Sequence, residues 1–271
     1  MKPVFEIIPE AIFFNQTNLI CEISSDGIAY VFKNDIDKKF HGLSVFHFAK
    51  EVDIATQLTE IFNDQPLLHK SYKKTFISYT FAESVLIPAE LYNPGDNDGV
   101  LNTLYGDLYE GTVAMDVLAD AKIYNVYRIP MPIHQAMVNQ FPSVSFGHHY
   151  SLLIKQGFSD DDRLKVIFYQ DIFVVVLAIG GELQLINSYV YQTATDVIYH
   201  LKNICEQSNI INPALSLSGM IHVDSDLHKE INYYFPQITF EELPAGYEYE
   251  KRLTELPQHY FSHLFSLALC V

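Results

Sequence analysis

The segment that decides the fold is "LKVIFYQDIFVVVLAIGGELQLINSYVYQT", which runs from Leu164 to Thr193. It holds three apolar, β-branched runs, separated by the turn signals Gln170-Asp171 and Gly180-Gly181. Runs of this length and composition are typical of strands, and turns this short join neighbouring strands as hairpins. The segment therefore predicts a three-stranded antiparallel meander.

A helix, a strand, a second helix and a last strand are predicted after the meander. "TATDVIYHLKNICEQ" (Thr193–Gln207) has apolar residues at helical spacing, and Thr195 or Asp196 is expected to cap the helix. "ALSLSGMI" then reads as a strand, "SDLHKEINYYF" as a helix and "QITFEELP" as a strand. Within them, residues 215–218 are expected to form a buried strand, and Ser225 or Asp226 to cap the helix that begins at Leu227.

The first half of the chain shows the same order of elements. "LICEIS", "IAYVFK" and "LSVFHF" are predicted strands, "DIATQLTEIF" a helix, "KTFISYTF" and "KIYNVYRIP" later strands, and "PIHQAMVNQF" a second helix. A constant offset of 143 residues pairs Phe46 with Tyr189 and Asp53 with Asp196. We interpret the repeat as an internal duplication, with halves at 1–142 and 143–271. Residues 93–106 and 143–163 fit neither repeat and are expected to be loops or insertions.

The repeated order, three meander strands, helix, strand, helix and strand, is the ribonuclease H-like plan. Crossover helices on a mixed sheet make each half α/β. Two copies in one chain predict the duplicated architecture of actin, hexokinase and the large heat-shock chaperones. In that architecture a nucleotide lies between the halves.

The composition restricts the kinds of partner. The net charge is -16, so a nucleic-acid partner is not expected, because binding a polyanion requires clustered Lys and Arg. The densest basic segment is the short "KSYKK" (Lys70–Lys74). The three cysteines lie far apart in apolar stretches and are expected to be buried thiols. No signal peptide or membrane-spanning run is predicted, so we expect a soluble cytoplasmic protein without membrane insertion.

Three segments occupy the positions where this architecture binds nucleotide. The first hairpin has "EISS" (Glu22–Ser25), in which Ser24 replaces the glycine that a close phosphate approach favours. The second hairpin, "FYQDIF", has neither glycine nor serine. At the later strand-to-helix turn, Gly219 is followed by Met220 in place of a second glycine. Because all three sites depart from the pattern, the sequence predicts that tight ATP binding is absent and that the turns serve the fold.

Candidate metal sites and nucleophiles are weak. "HVDSDLH" places four residues of metal-ligand type at alternate positions: His222, Asp224, Asp226 and His228. A role as helix cap explains the second aspartate, Asp226, better than metal binding does. His148-His149 has no second ligand pair at usable spacing, and "GDNDG" lacks the acids of a calcium loop. No Gly-x-Ser-x-Gly elbow occurs. We therefore identify no catalytic residue and no metal site.

Several longer segments together resemble one family. They are "LIPAELY", "YNVYRIPMPIHQAMVNQFP", "HHYSLL", "LINSYVYQTATDVIYHL", "LSLSGMIHVDSDL" and "HYFSHLFSLALC". As a set they are similar to an uncharacterised family of Bacteroidetes proteins, a domain of unknown function with an actin-like ATPase fold. The resemblance covers nearly the whole chain. It implies the duplicated fold and a bacterial cytoplasm, and it brings no catalytic residues.

The sequence leads to two functional hypotheses. In the first, the protein is a non-catalytic scaffold that binds an unidentified protein partner and needs no cofactor. In the second, it is a divergent ATP-binding protein or ATPase that uses ATP and Mg²⁺ in the cleft between the halves. Glu22 would then place the metal, Ser24 and Ser25 would hold phosphate, and Ser218 and Gly219 would face the adenosine.

Overall fold

The computed structural model of the 271-residue chain describes residues 1–107, 110–158 and 162–271. The strands are β1 (Phe5–Ile7), β2 (Thr17–Ser24), β3 (Gly27–Asn34), β4 (Lys39–His47), β5 (Lys74–Thr80), β6 (Ser84–Pro88), β7 (Gly111–Leu118), β8 (Ile123–Pro130), β9 (Val144–His148), β10 (Arg163–Phe168), β11 (Ile172–Ile179), β12 (Glu182–Val190), β13 (Ala214–Gly219), β14 (Ile238–Phe240) and β15 (Glu248–Tyr249). The helices are α1 (Ile54–Asp64), α2 (Asn97–Tyr105), α3 (Met131–Gln140), α4 (His149–Lys155), α5 (Ala194–Gln207), α6 (Asp226–Tyr234), α7 (Lys251–Thr254) and α8 (Ser262–Leu269).

The described chain divides into two compact units. The first contains residues 1–155, 246–253 and 270–271, and the second contains 156–245 and 254–269. The division along the chain thus falls after Lys155, whereas the sequence predicted it after Pro142. The reason is β9, which pairs in parallel with β5 and so belongs to the first sheet.

The large sheet of the first unit has the order β1-β4-β3-β2-β5-β9, and β15 also pairs with β4. Strands β2, β3 and β4 form the predicted antiparallel meander, and β5 and β9 continue it in parallel with β2. Helix α1 packs its apolar stripe, including Leu58 and Ile61, into the core of this unit. Its N-cap is Asp53, whose carboxylate accepts the Thr56 N–H at 2.9 Å.

A separate three-stranded sheet, β6-β8-β7, lies between β5 and α3 in the chain order. The predicted strand "KIYNVYRIP" is β8 at the centre of this sheet, so its assignment to the main repeat was wrong. Helix α3 and strand β9 complete the repeat instead. The expectation of loops was likewise wrong for most of residues 93–106 and 143–155, because they form α2, β9 and α4. Residues 159–161 of the predicted insertion lie outside the described part.

The second unit contains one sheet of order β12-β11-β10-β13-β14. The decisive meander is confirmed as β10, β11 and β12, and β13 and β14 follow in parallel with β10. With its extra edge strands left aside, the first sheet has the equivalent order β4-β3-β2-β5-β9. Both units therefore have the same strand order and directions, which is the ribonuclease H-like plan.

The helix caps of the second unit are fixed by serine and threonine. Helix α5 begins after Thr193, which forms a capping box with Asp196, so the prediction of Thr195 or Asp196 as the N-cap was wrong. Helix α6 is capped by Ser225, whose Oγ accepts the His228 N–H at 3.2 Å. Asp226 is therefore its first helical residue rather than its cap.

Candidate functional site

The carboxyl ends of three parallel strands of the first unit meet at one edge of its large sheet. Strand β2 ends at Ser24, β5 at Thr80, and β9 at His148. In open α/β sheets, ligands bind outside the carboxyl ends of the strands. This edge is therefore the place where the chemistry of the unit is expected.

Glu22 lies at this edge in a buried, hydrogen-bonded cluster. Its Oε1 is 2.7 Å from His149 Nδ1 and accepts a hydrogen bond of 3.1 Å from Thr80 Oγ1. Glu22 is only 4% exposed, and His149 is fully buried. With Glu22 ionised, this hydrogen bond is donated by His149 Nδ1, because a carboxylate can only accept hydrogen bonds. Glu22, which would place the metal under the second hypothesis, is thus hydrogen-bonded to protein groups.

The first hairpin is closed by its own side chains. Ser24 Oγ accepts the Asp26 N–H at 3.0 Å, and Ser25 Oγ lies 3.2 Å from Asp26 Oδ1. Ser24 is 4% exposed, whereas Ser25 faces solvent. Glycine occurs at Gly27, where a Cβ would stand 2.1 Å from Phe46 O. The close backbone approach in this hairpin is therefore made to β4.

A second buried polar network surrounds His148 at the same sheet edge. Its Nε2 donates to Phe81 O at 2.9 Å, and its Nδ1 accepts the Tyr150 N–H at 3.2 Å. One ring nitrogen donates and the other accepts, as in a neutral imidazole. Burial favours this neutral form and lowers the pKa of His148 to about 3. The backbone N–H of His148 donates to Asp116 Oδ2 at 2.7 Å, which ties β9 to β7.

Ser218 and Gly219, which would face adenosine under the second hypothesis, lie at the end of β13 in the second unit. Ser218 is fully buried, and its Oγ has no hydrogen-bond partner among the described residues. Gly219 has φ +85°, and a Cβ on it would stand 2.1 Å from Phe168 O. The close approach that excludes a side chain at Gly219 is therefore made to β10 of its own sheet.

The segment after β13 forms a turn that leads into α6. The Asp224 N–H donates to His222 Nδ1 at 3.2 Å, and Ser225 Oγ donates to His222 O at 2.7 Å. Asp226 contacts Lys229 at 3.3 Å on the surface. Among the described residues, no three His, Cys, Asp or Glu side chains are grouped as metal ligands would be.

The structure thus brings Glu22 and Ser24 to the carboxyl edge of the first sheet. Sequence reasoning missed the two residues that hold the acid, Thr80 and His149. The signal for them was available: "TFISYT" and "VSFGHH" each end in a polar residue that follows an apolar strand pattern. The second of these strand ends lies within residues 143–163, which were predicted to be a loop or an insertion.

No helix in the described ranges is long and apolar enough to span a membrane. The sequence matches one family model, described as "Protein of unknown function (DUF3822)", over residues 11–238. No curated protein matches the chain significantly.

Solved structures share the fold at low sequence identity. A Bacteroides thetaiotaomicron protein with actin-like ATPase fold and unknown function matches with TM-score 0.79 and 19% identity, covering 95% of this chain and 99% of that one. A chain of the PilM-PilN type IV pilus biogenesis complex matches with TM-score 0.61 and 10% identity, covering 94% and 98%. The ethanolamine utilization protein EutJ from Carboxydothermus hydrogenoformans matches with TM-score 0.51 and 9% identity, covering 98% and 92%. The chain therefore has the expected α/β, actin-like ATPase fold.

Proposed function

This chain belongs to the family described as Protein of unknown function (DUF3822), and we propose that it is a non-catalytic protein of the actin-like fold that binds a protein partner. The observation that carries the proposal is the state of Glu22. Its carboxylate is buried and bonded to His149 and Thr80, at the position where an ATPase of this fold needs an acid for metal or water.

The first hairpin supports the same reading. A phosphate-binding turn presents backbone N–H groups to the ligand. Here the Asp26 N–H is bonded to Ser24 Oγ, and the Phe48 N–H is bonded to Asp26 O at 2.9 Å. Both N–H groups are used within the hairpin, so a phosphate would have to replace Ser24 Oγ and Asp26 O as their acceptors.

Partner binding is supported by analogy with one structural neighbour. The neighbour with TM-score 0.61 is a chain of a pilus biogenesis complex, so this fold occurs in a protein that assembles with another. A fold alone does not fix a function. The analogy therefore supports the class of role and leaves the identity of the partner to experiment.

A divergent ATP-binding role is the second candidate, and one observation favours it. Ser218 Oγ is buried without a hydrogen-bond partner in the described ranges, next to the positive-φ turn at Gly219. A buried hydroxyl without a partner costs about 1–3 kcal/mol, which a ligand could offset.

Isothermal titration calorimetry with ATP and Mg²⁺ tests the proposal, with a thermal shift measured beside it. A ligand at 100 times its Kd would add about 2.7 kcal/mol of stability, so even modest binding raises the melting temperature. We expect no heat of binding and no shift. A Kd in the micromolar range for ATP at the carboxyl edge of the first sheet would contradict the proposed loss of nucleotide binding and favour the second candidate.

A further inference from the structure

The strongest basic feature of this acidic protein is a groove in the first unit. Residues 68–75 and 139–143 line it, and its volume is about 630 Å³. We name it the lysine groove. It lies where β5 begins, at Lys74, and where α3 ends, at Gln140. The volume falls in the range of about 300–1,000 Å³ that is typical of ligand clefts.

The charge in the lysine groove is of one sign. Three of the 17 Lys and Arg residues of the chain stand within five positions, at Lys70, Lys73 and Lys74. All three are exposed, and none of the lining residues is Asp or Glu. Burial acts to raise the pKa of Asp35, but Lys33, a hydrogen bond from Asn18 and, as the smallest cause, the charge of Lys73 together lower it. Lys70 and Lys74 make no ion pair with any residue in the described part of the chain.

The walls of the groove are held in place by hydrogen bonds. The backbone N–H of Lys73 donates to Phe14 O and to Thr17 O, each at 3.0 Å. Tyr72 OH donates to Leu67 O at 2.8 Å, and Gln140 Nε2 donates to Leu68 O at 3.0 Å. A groove with fixed walls loses little conformational entropy when a ligand enters.

We propose that the lysine groove binds a short, extended acidic peptide segment of the partner protein. The inference rests on the proposed function and names the surface and the chemistry of the partner. Carboxylates complement Lys70 and Lys74, and the half-buried ring of Tyr72, which also lines the groove, offers apolar contact to the side chains between them. A long nucleic acid is a poorer fit, because the net charge of -16 repels a polyanion beyond the groove.

Fluorescence anisotropy with a labelled short peptide that alternates Glu with Leu tests the proposal. A peptide with Gln in place of Glu is the ligand control. We expect the Glu peptide to bind, and its affinity to fall steeply between about 0.05 M and about 0.5 M NaCl because salt screens exposed charges. The affinity of the Gln peptide should be lower than that of the Glu peptide by about tenfold or more.

Paired charge-reversal variants locate the site. Lys70→Glu with Lys74→Glu should weaken binding of the Glu peptide about tenfold or more, since like charges across an interface are strongly unfavourable. Lys155→Glu with Lys229→Glu changes the net charge equally at two exposed residues outside the groove and should change binding less than about twofold. Equal losses in both pairs, or no binding to wild type, would overturn the proposal. Either result is independent of the ATP titration, so the two failures can be told apart.

Discussion

Gly219→Ala should destabilise the second unit more than an ordinary substitution at a positive-φ glycine. At φ +85° an alanine meets the steric penalty of the left-handed region, about 1–2 kcal/mol. Its Cβ would also stand 2.1 Å from Phe168 O and 2.7 Å from Phe168 N. Because both atoms are backbone, strand β10 has to shift. Forced displacement in a packed core costs about 1–3 kcal/mol more.

Two glycines of the same chain separate the two contributions. Gly246 has the same φ of +85° and Gly180 has φ +57°, and neither has any heavy atom within 4 Å of an added Cβ. Gly246→Ala and Gly180→Ala therefore carry only the penalty of the positive φ, about 1–2 kcal/mol. Gly219→Ala should lose about 2–5 kcal/mol in total.

Urea unfolding followed by circular dichroism measures the three variants beside wild type. Gly180 lies in the same unit as Gly219, so its variant also reports on the unfolding of that unit. A loss for Gly219→Ala equal to that for Gly180→Ala would refute the argument that the approach to Phe168 requires glycine. It would leave the positive φ as the complete explanation.

Two further predictions concern a cap and a buried histidine. Ser225→Ala should reduce stability by about 1 kcal/mol through loss of the α6 cap. Asp226→Ala removes only the exposed contact with Lys229 and should cost less than about 0.5 kcal/mol in urea unfolding. Equal losses would count against Ser225 as the cap. Because burial lowers the pKa of His148 to about 3, the unfolded chain with its pKa of about 6.5 binds the extra proton between these values. The free energy of unfolding should therefore fall as the pH drops from about 6.5 towards 3, and this residue contributes up to about 1.4 kcal/mol per pH unit. Urea midpoints measured at several pH values should depend less steeply on pH in His148→Gln than in wild type.

The sequence predicted the repeated core of the fold, because local signals mark each of its elements. The meander at residues 164–193 has β-branched runs and turn residues, and α1 has both an apolar stripe and the capping Asp53. The sheet that holds β8 could not be assigned in this way. The strand pattern of β8 is as clear as that of β5. Only the pairing of β8 with β6 and β7 places it in a separate sheet.

The candidate site was predicted only in part for a similar reason. Glu22 could be named because it follows an apolar strand, but its partners stand 58 and 127 residues away in the chain. Contacts at such separation depend on which strands become neighbours. The pairing of β5 with both β2 and β9 brings Thr80 and His149 to Glu22, and that pairing has no local signal.

The Glu22 cluster and the lysine groove lie at opposite ends of one strand, so variants of the groove can separate binding at the two places. Strand β5 begins at Lys74, in the groove, and ends at Thr80, beside Glu22. Its seven residues span about 20 Å at about 3.3 Å per residue. A nucleotide at the carboxyl edge would therefore not displace a peptide from the groove. ATP is itself a polyanion, so any binding that Lys70→Glu with Lys74→Glu abolishes belongs to the groove. Only binding that survives this pair would restore a nucleotide-binding role to the carboxyl edge.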